Sequence, residues 1–336
     1  MPRTRLQDVA KHAGVSMKTV SNVVHAHPHV SESMRERVQL AIDELGYRPN
    51  AIGRRLATGR TGLLALALPD VRIPYFAELA NAVSLAASSR GYRVLLEQTG
   101  GSLEEERAIV SSSEAGLVDG VILQPSMMSV MELAQHREDV PVVLLGEGAA
   151  PLTMDHLSVD NIAAATRITS HLAQSGRRRI AFLGHEAGGP SATSRQRLLG
   201  YQQGLEESGS ALDTALLIPT ASVSVRAAAD ALAAALDEGL RMDAVVCRDD
   251  LAAIGALRAL HERGLGVPDD IAVTGWDDIA MSAFTSPSLT TVAADMDALA
   301  EGALDMLTER IGGYEGLGRH RRVGFELRIR ESAPRA

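Results

Sequence analysis

Residues 6–31, LQDVAKHAGVSMKTVSNVVHAHPHVS, decide how the chain is read. Leu6, Val9, Ala10 and Ala13 fall at i, i+3, i+4 and i+7, one apolar face of a short helix. Gly14 follows, with the freedom at positive φ that a tight corner needs. A second helix is expected from about Met17 to Val24. Burying Val20, Val23 and Val24 leaves Met17, Lys18, Ser21 and Asn22 on the outside. A third helix is expected to begin at Ser31, bury Met34, Val38, Ala41, Ile42 and Leu45, and end at Gly46. Upstream, Thr4 and Gln7 have the spacing of a capping box, which places the start of the first helix at Thr4. Three short helices around a Gly-Val-Ser corner outline a helix-turn-helix, the geometry that sets a helix in a major groove.

Outward from that corner the charge changes sign. Residues 1–60 hold 10 Lys and Arg against 5 Asp and Glu, a balance of +5; the remaining 276 hold 23 against 37, or −14. A basic head on an acidic body suits a local contact with a polyanion. A length of 336 residues with 46% hydrophobic content fits two or three domains with a sizeable core. The single cysteine, Cys247, excludes an intramolecular disulfide framework. No run approaches the ~18 apolar residues of a membrane span, and the first residues lack the apolar core of a secretion signal. A cytoplasmic location without membrane contact is expected.

The stretch YRPNAIGRRLATGRTG (47–62) changes character again. Pro49 breaks the preceding helix and Asn50 can cap a new one, but AIGRRLA is too short to be stable alone. Gly53 weakens it by a further ~1 kcal/mol relative to Ala. It is read as a hinge that is helical only when held. From Gly62 onward, apolar runs alternate with helical stretches. LLALAL (63–68), RVLLE (93–97), GVILQ (120–124) and PVVLL (141–145) read as fully buried parallel strands, with helices near 75–90, 102–115 and 128–136. LSV (157–159) opens a second series, followed by RIAFLG, ALLIP, DAVVC and IAVTGW, with helices near 161–174, 195–207, 224–238 and 250–263. LTTVAAD (289–295) and VGFELRIR (323–330) flank a last helix and are expected to cross between lobes. The fold class is therefore a small all-α headpiece followed by a two-lobed α/β core of two doubly wound parallel sheets.

With these stretches in order, the chain resembles the lactose-repressor (LacI) family of bacterial transcription regulators over essentially its whole length. The matching motifs are LQDVAKHAGVSMKTVSNVV, VSESMRERVQLAIDELGYRPNAIGRRLATGRT, SRQRLLGY, DDLAAIGAL and VTGWDDI. The resemblance implies a headpiece (1–48), a hinge (49–61) and a periplasmic-binding-protein-like core (62–336). The core would divide into an N-lobe of about 62–160 plus 293–320 and a C-lobe of about 161–292 plus 321–336. It also implies a sequence-specific regulator, a repressor by family habit, that works as a homodimer with a tetramer left open. Operator affinity would be controlled by a small effector, a carbohydrate being favoured.

By resemblance, Met17, Lys18 and Asn22 would read bases: lysine donates to guanine, asparagine pairs with adenine and methionine packs. Thr19 and Ser21 would face phosphates, as would His29. Leu56 would wedge into the minor groove at the centre of a near-palindromic operator, beside Arg54 and Arg55, with Asn50 at the start of the hinge. Effector contacts would lie at the carboxyl ends of strands between the lobes. The candidates are Asp70, the aromatic wall of Tyr75 and Phe76, Arg195 in SRQR, Asp249 and Asp277. Asp249 stands where the family usually has Asn. Asp250 and Asp278 are read as helix caps, and Trp276 as core.

Other classes fit less well. No strand leads into GxGxxG, and neither a GxSxG elbow nor a P-loop is present, so no enzyme, catalytic residue or cofactor is expected. His25, His27 and His29 lack a thiol or carboxylate partner nearby, so no metal is expected there. An exported solute receptor would share the core but has no use for a basic headpiece. An activator or a co-repressor-dependent regulator uses the same residues.

Overall fold

The computed structural model describes residues 4–24, 30–47, 60–110, 117–135, 140–186, 188 and 191–335. The chain divides into two compact units, residues 1–61 and 62–336.

In the first unit, α1 (Leu6–Ala13), α2 (Met17–Val24) and α3 (Glu32–Glu44) enclose a core of Val9, Ala10, Ala13, Val20, Val23, Val38, Ala41 and Tyr47. Gly14 closes α1 at φ 63°, a backbone state that costs a glycine nothing. The start of α1 differs from expectation. Arg5 is the N-cap, its N–H donating to Asp8 at 2.8 Å, while the Thr4 hydroxyl donates to the Leu45 carbonyl at 3.1 Å. Thr4 therefore ties the first helix to the end of the third. A hydrogen bond between the His12 ring Nε2 and the Glu44 carboxylate at 2.6 Å joins the same two helices.

The second unit holds two six-stranded sheets with related strand orders. The first runs β2 (Arg93–Gln98), β1 (Leu63–Leu68), β3 (Gly120–Leu123), β4 (Val142–Leu145), β5 (Asp155–Val159), β11 (His320–Val323), all parallel. The second runs β7 (Leu217–Thr220), β6 (Ile180–Glu186), β8 (Ala244–Cys247), β9 (Ala272–Trp276), β10 (Thr290–Ala294), β12 (Phe325–Arg328), with only β12 antiparallel. The apolar runs are buried because helices cover both faces. On the first sheet these are α4 (Pro74–Ser89), α5 (Leu103–Val110), α6 (Val130–Gln135) and α11 (Met296–Ile311). On the second they are α7 (Asn161–Gln174), α8 (Ala192–Glu207), α9 (Val225–Asp237) and α10 (Asp250–Glu262).

Three strand expectations need correction. The run 157–159 belongs to the first sheet, as β5 between β4 and β11. β2 is not fully buried: as the edge strand it leaves Leu95 and Leu96 39% and 49% exposed. The stretch 323–330 is not one strand. Val323 ends β11 in the first sheet, Phe325 opens β12 in the second, and the Gly324 carbonyl between them accepts from the Asp295 N–H at 3.0 Å. Residues 321–323, expected in the second lobe, thus pair with the first, while Ala293 and Ala294, expected in the first, pair with the second.

Candidate functional site

Two sites are built by these units. In the headpiece, α2 buries Val20 and Val23 and turns Met17 (54% exposed) and Lys18 outward, with Thr19, Ser21 and Asn22 half-buried. Ser16 caps the helix, its hydroxyl accepting from the Thr19 N–H at 3.1 Å and meeting the Thr19 hydroxyl at 2.9 Å. Thr19 is thereby fixed at the helix start, where N–H groups and dipole favour an anion. His25, His27 and His29, and the hinge candidates Asn50, Arg54, Arg55 and Leu56, lie outside the described residues.

In the core, each sheet reverses its strand order between its first and third strands, β1/β3 and β6/β8. That reversal opens a crevice at the carboxyl ends, where open α/β sheets take ligands. In the second sheet an ion network spans it. Arg248, after β8, reaches Glu186 at the end of β6 at 3.2 Å and Asp249 at 2.5 Å. Beside it, Arg197 from α8 lies 4.0 Å over the Trp276 ring and donates to Asn161 at 2.7 Å and to the Arg248 carbonyl. Its guanidinium stands 3.9 Å from the Asp277 carboxylate. Burial pushes the Asp277 carboxyl well above the usual carboxylate range, against the charge of Arg197. Burial likewise lowers the pKa of Arg197, against the charges of Asp277 and Glu147.

The first lobe supplies the opposite wall. Burial raises the pKa of the Tyr75 hydroxyl, and the charges of Glu147 and Asp277 raise it further, while its ring packs on the first-lobe core beside Phe76. Glu147 also bridges the lobes. Its carboxylate accepts from the Thr193 hydroxyl at 2.8 Å, and its carbonyl accepts from the Gln196 amide at 2.9 Å. A second bridge runs from the Ala280 N–H to Glu78 at 2.9 Å. The wall is rich in donors and acceptors with an aromatic ring at its back, which suits a small polyhydroxylated ligand.

Of the six expected effector contacts, Asp277 meets Arg197 and Tyr75 lies within range of the Asp277 charge, while the other four are held otherwise. Arg195 is exposed; the arginine at Asp277 is Arg197, two residues on. The reason is helical period: Ser194, Arg197, Tyr201 and Leu205 form the buried face of α8, and Arg195 lies off it. Phe76 is 9% exposed and packs into the core of the first lobe, meeting Tyr75 edge-on, so the aromatic wall is Tyr75 alone. Asp70 is held by Arg72 at 2.8 Å, whose hydrogen bond lowers its pKa. Asp249 caps α10, accepting from the Ala252 N–H at 2.8 Å, while its other oxygen takes Arg248. The cap expected at Asp250 is therefore one residue earlier. Asp278 is no cap either; it pairs with Arg330 at 2.6 Å. Arg197, Asn161, Glu147, Glu186 and Arg248 were not foreseen. Among the described residues, no group of three or more His, Cys, Asp or Glu side chains could hold a metal ion.

Comparison with known proteins settles the class. A model of the bacterial regulatory proteins of the lacI family matches residues 5–50, and a periplasmic binding protein-like domain matches residues 169–333. The ribose operon repressor of Halalkalibacterium halodurans is 34% identical over 290 residues, covering 86% of this chain and 85% of that protein. The chain belongs to the lacI family. As a LacI-family protein it is a DNA-binding transcriptional regulator with a helix-turn-helix head and a two-lobed core. The Lac repressor dimer bound to operator and the anti-inducer ONPF aligns with a TM-score of 0.86 at 27% identity, over 99% of each chain. The complex of the transcriptional regulator CelR with cellobiose aligns at 0.72 and 29% identity, over 98% of this chain and all of that one. Among the described residues no helix is long and apolar enough to cross a membrane.

Proposed function

We propose that this regulator is a homodimeric repressor whose hold on a near-palindromic operator is released by a sugar bound between the lobes. The observation that carries the effector reading is the approach of Arg197 to Asp277 next to Glu147, which reaches from the facing lobe to Thr193 and Gln196 on the same helix as Arg197. A sugar hydroxyl between Arg197 and Asp277 can accept from the guanidinium and donate to the carboxylate at once. Met17, Lys18 and Asn22 read base edges, and Thr19 and Ser21 hold phosphates. His29 joins them on the backbone, while Asn50, Arg54, Arg55 and Leu56 make the hinge contacts. The second copy docks on the smooth face of α4, where Ala77, Asn81, Ser84 and Leu85 are exposed, next to the bare edge of β2. An edge strand that has no further partner among the described residues and carries exposed leucines calls for a cover. A repressor named for ribose and a regulator complexed with cellobiose among the relatives support a carbohydrate.

The test is a gel shift on the DNA upstream of the chain's own gene, repeated with ribose, cellobiose and other neutral sugars. A shift released by one sugar in the native protein, and not in Asp277→Ala, is expected. Failure of every natural fragment to shift would sink the operator reading, and a released Asp277→Ala would sink the site.

A further inference from the structure

Asp277 and Asp278 are successive non-glycine residues with positive φ, 111° and 54°. Backbone of this kind is disfavoured for residues with a Cβ and persists only where its surroundings over-determine it. What over-determines it here is visible. The Asp277 N–H donates to the Val292 carbonyl at 2.8 Å, and Arg330 holds the Asp278 carboxylate at 2.6 Å. Next in the chain, the Ile279 N–H donates to one oxygen of Asp250 at 2.9 Å, and the Ser282 hydroxyl donates to the same oxygen at 2.6 Å. The other oxygen accepts from the Thr291 hydroxyl on β10 at 2.6 Å. Asp250 is fully buried at the first residue of α10. Its room is made by Gly275: a Cβ there would stand 2.1 Å from the carboxylate.

We propose that Asp250 is a positioning residue for effector recognition, clamping the turn after β9 so that Asp277 is presented to Arg197. Asp250 touches no ligand itself; it joins α10, β10 and the turn through one carboxylate. The proposal rests on the reading of the cleft as the effector site. It adds that the response depends on a group hidden behind the wall.

The experiment compares Asp250→Ala, Asp250→Asn and Thr291→Val in the full-length protein. Asparagine keeps an oxygen for Ile279 and Ser282, and its amide N–H can donate to the Thr291 hydroxyl, so it preserves the clamp. Two readouts need no ligand: hydrogen exchange of the 277–284 segment, and emission from Trp276, the chain's sole tryptophan. Asp250→Ala is expected to speed exchange there by about tenfold or more and to shift the emission. Asp250→Asn should stay within about twofold of native, with Thr291→Val between them. Should Asp250→Ala not fold, the Thr291→Val and Asp250→Asn pair decides. In the gel shift with ribose and cellobiose, Asp250→Ala should keep operator binding and lose release, as Asp277→Ala does. Native exchange and emission in both Asp250→Ala and Thr291→Val, or equal loosening by Asn and Ala, overturns the clamp. A native protein released by no sugar would overturn the effector reading alone, because exchange still judges the clamp.

Discussion

Among the described residues each lobe buries one aspartate completely, and the two are held in opposite ways. Asp155, at the start of β5, accepts from the guanidinium groups of Arg310 and Arg319, at 3.0 and 2.8 Å, and from the Arg319 N–H at 2.7 Å. Burial pushes its carboxyl up, but these donors outweigh burial and hold its pKa at about 2. Asp250, in the second lobe, receives two hydroxyls and one peptide N–H, all neutral. Burial lifts its pKa to about 6, and those donors offset only part of the rise. The shifts run in opposite directions because the Asp155 site brings two guanidinium groups against its carboxylate, whereas Asp250 has only neutral donors and the heavier desolvation. Asp155 is an ionised strut pinning the segment after α11, whereas Asp250 is a hydrogen-bond hub that charge burdens.

The largest break in that comparison is Asp155→Ala. It leaves Arg310, whose side chain is 7% exposed, with only the carbonyls of Tyr314, Gly316 and Leu317 and the Tyr314 ring against its charge, and leaves Arg319 with Glu309. Removing one partner of a buried ion cluster costs about 3–5 kcal/mol. Urea unfolding at pH 7 should show a loss of that size, against a small change for Asp250→Asn. Equal losses in the two variants would erase the distinction between strut and hub.

Acidity separates the sites next. A carboxyl whose folded pKa lies above its unfolded value binds more protons folded than unfolded. The stability from Asp250 is therefore complete below about pH 4 and is lost as pH rises through about 6. A shift of about two units is worth about 3 kcal/mol across that window. Asp155 has the reverse sign: its contribution is present above about pH 4 and is lost as pH falls through about 2. Asp277 titrates in the same direction as Asp250, so the clean measurement is native protein against Asp250→Asn between pH 4 and 7. The native advantage should shrink with rising pH by about 3 kcal/mol. A constant difference would mean that Asp250 is ionised throughout.

Neither role was legible in the sequence, and the reason is instructive. Periodicity shows which elements form and which faces they bury, and it found the corner at Gly14, the strand runs and their helices. It failed where a residue's part depends on a partner distant in sequence. Asp249 and Asp250 look alike after an apolar run, but the cap falls to Asp249 because Asp250 reaches Thr291, 41 residues on. Arg195 and Arg197 were separable in principle. Carrying the period of Ser194, Tyr201 and Leu205 through SRQRLLGY marks Arg197 as inward. Phe76, next to Tyr75, is the same kind of miss: the helix buries Phe76 in the core cluster and leaves Tyr75 only partly buried against it. Asp155 is the hardest case, since its partners arrive from residues 310 and 319 only after the chain has crossed between lobes.

A third aspartate lies between the extremes and sharpens the comparison. Asp249 is 8% exposed; one oxygen caps α10 and the other takes Arg248, a guanidinium also shared with Glu186. Asp249→Asn keeps a good cap and deletes one charge from a network that retains another. Arg248 is then still paired, so the cost should be about 1 kcal/mol, set by the weakened hydrogen bonds and not by a stranded cation. The check is the urea midpoint of Asp249→Asn beside that of Asp155→Ala, in the same buffer. A loss of 3 kcal/mol or more, comparable with breaking the Asp155 cluster, would mean that Glu186 does not share the guanidinium's charge. Asp249 would then belong with Asp155 as an ionised strut. A small loss leaves Arg248 neutralised from the β6 side, its charge balanced across the crevice before any ligand arrives.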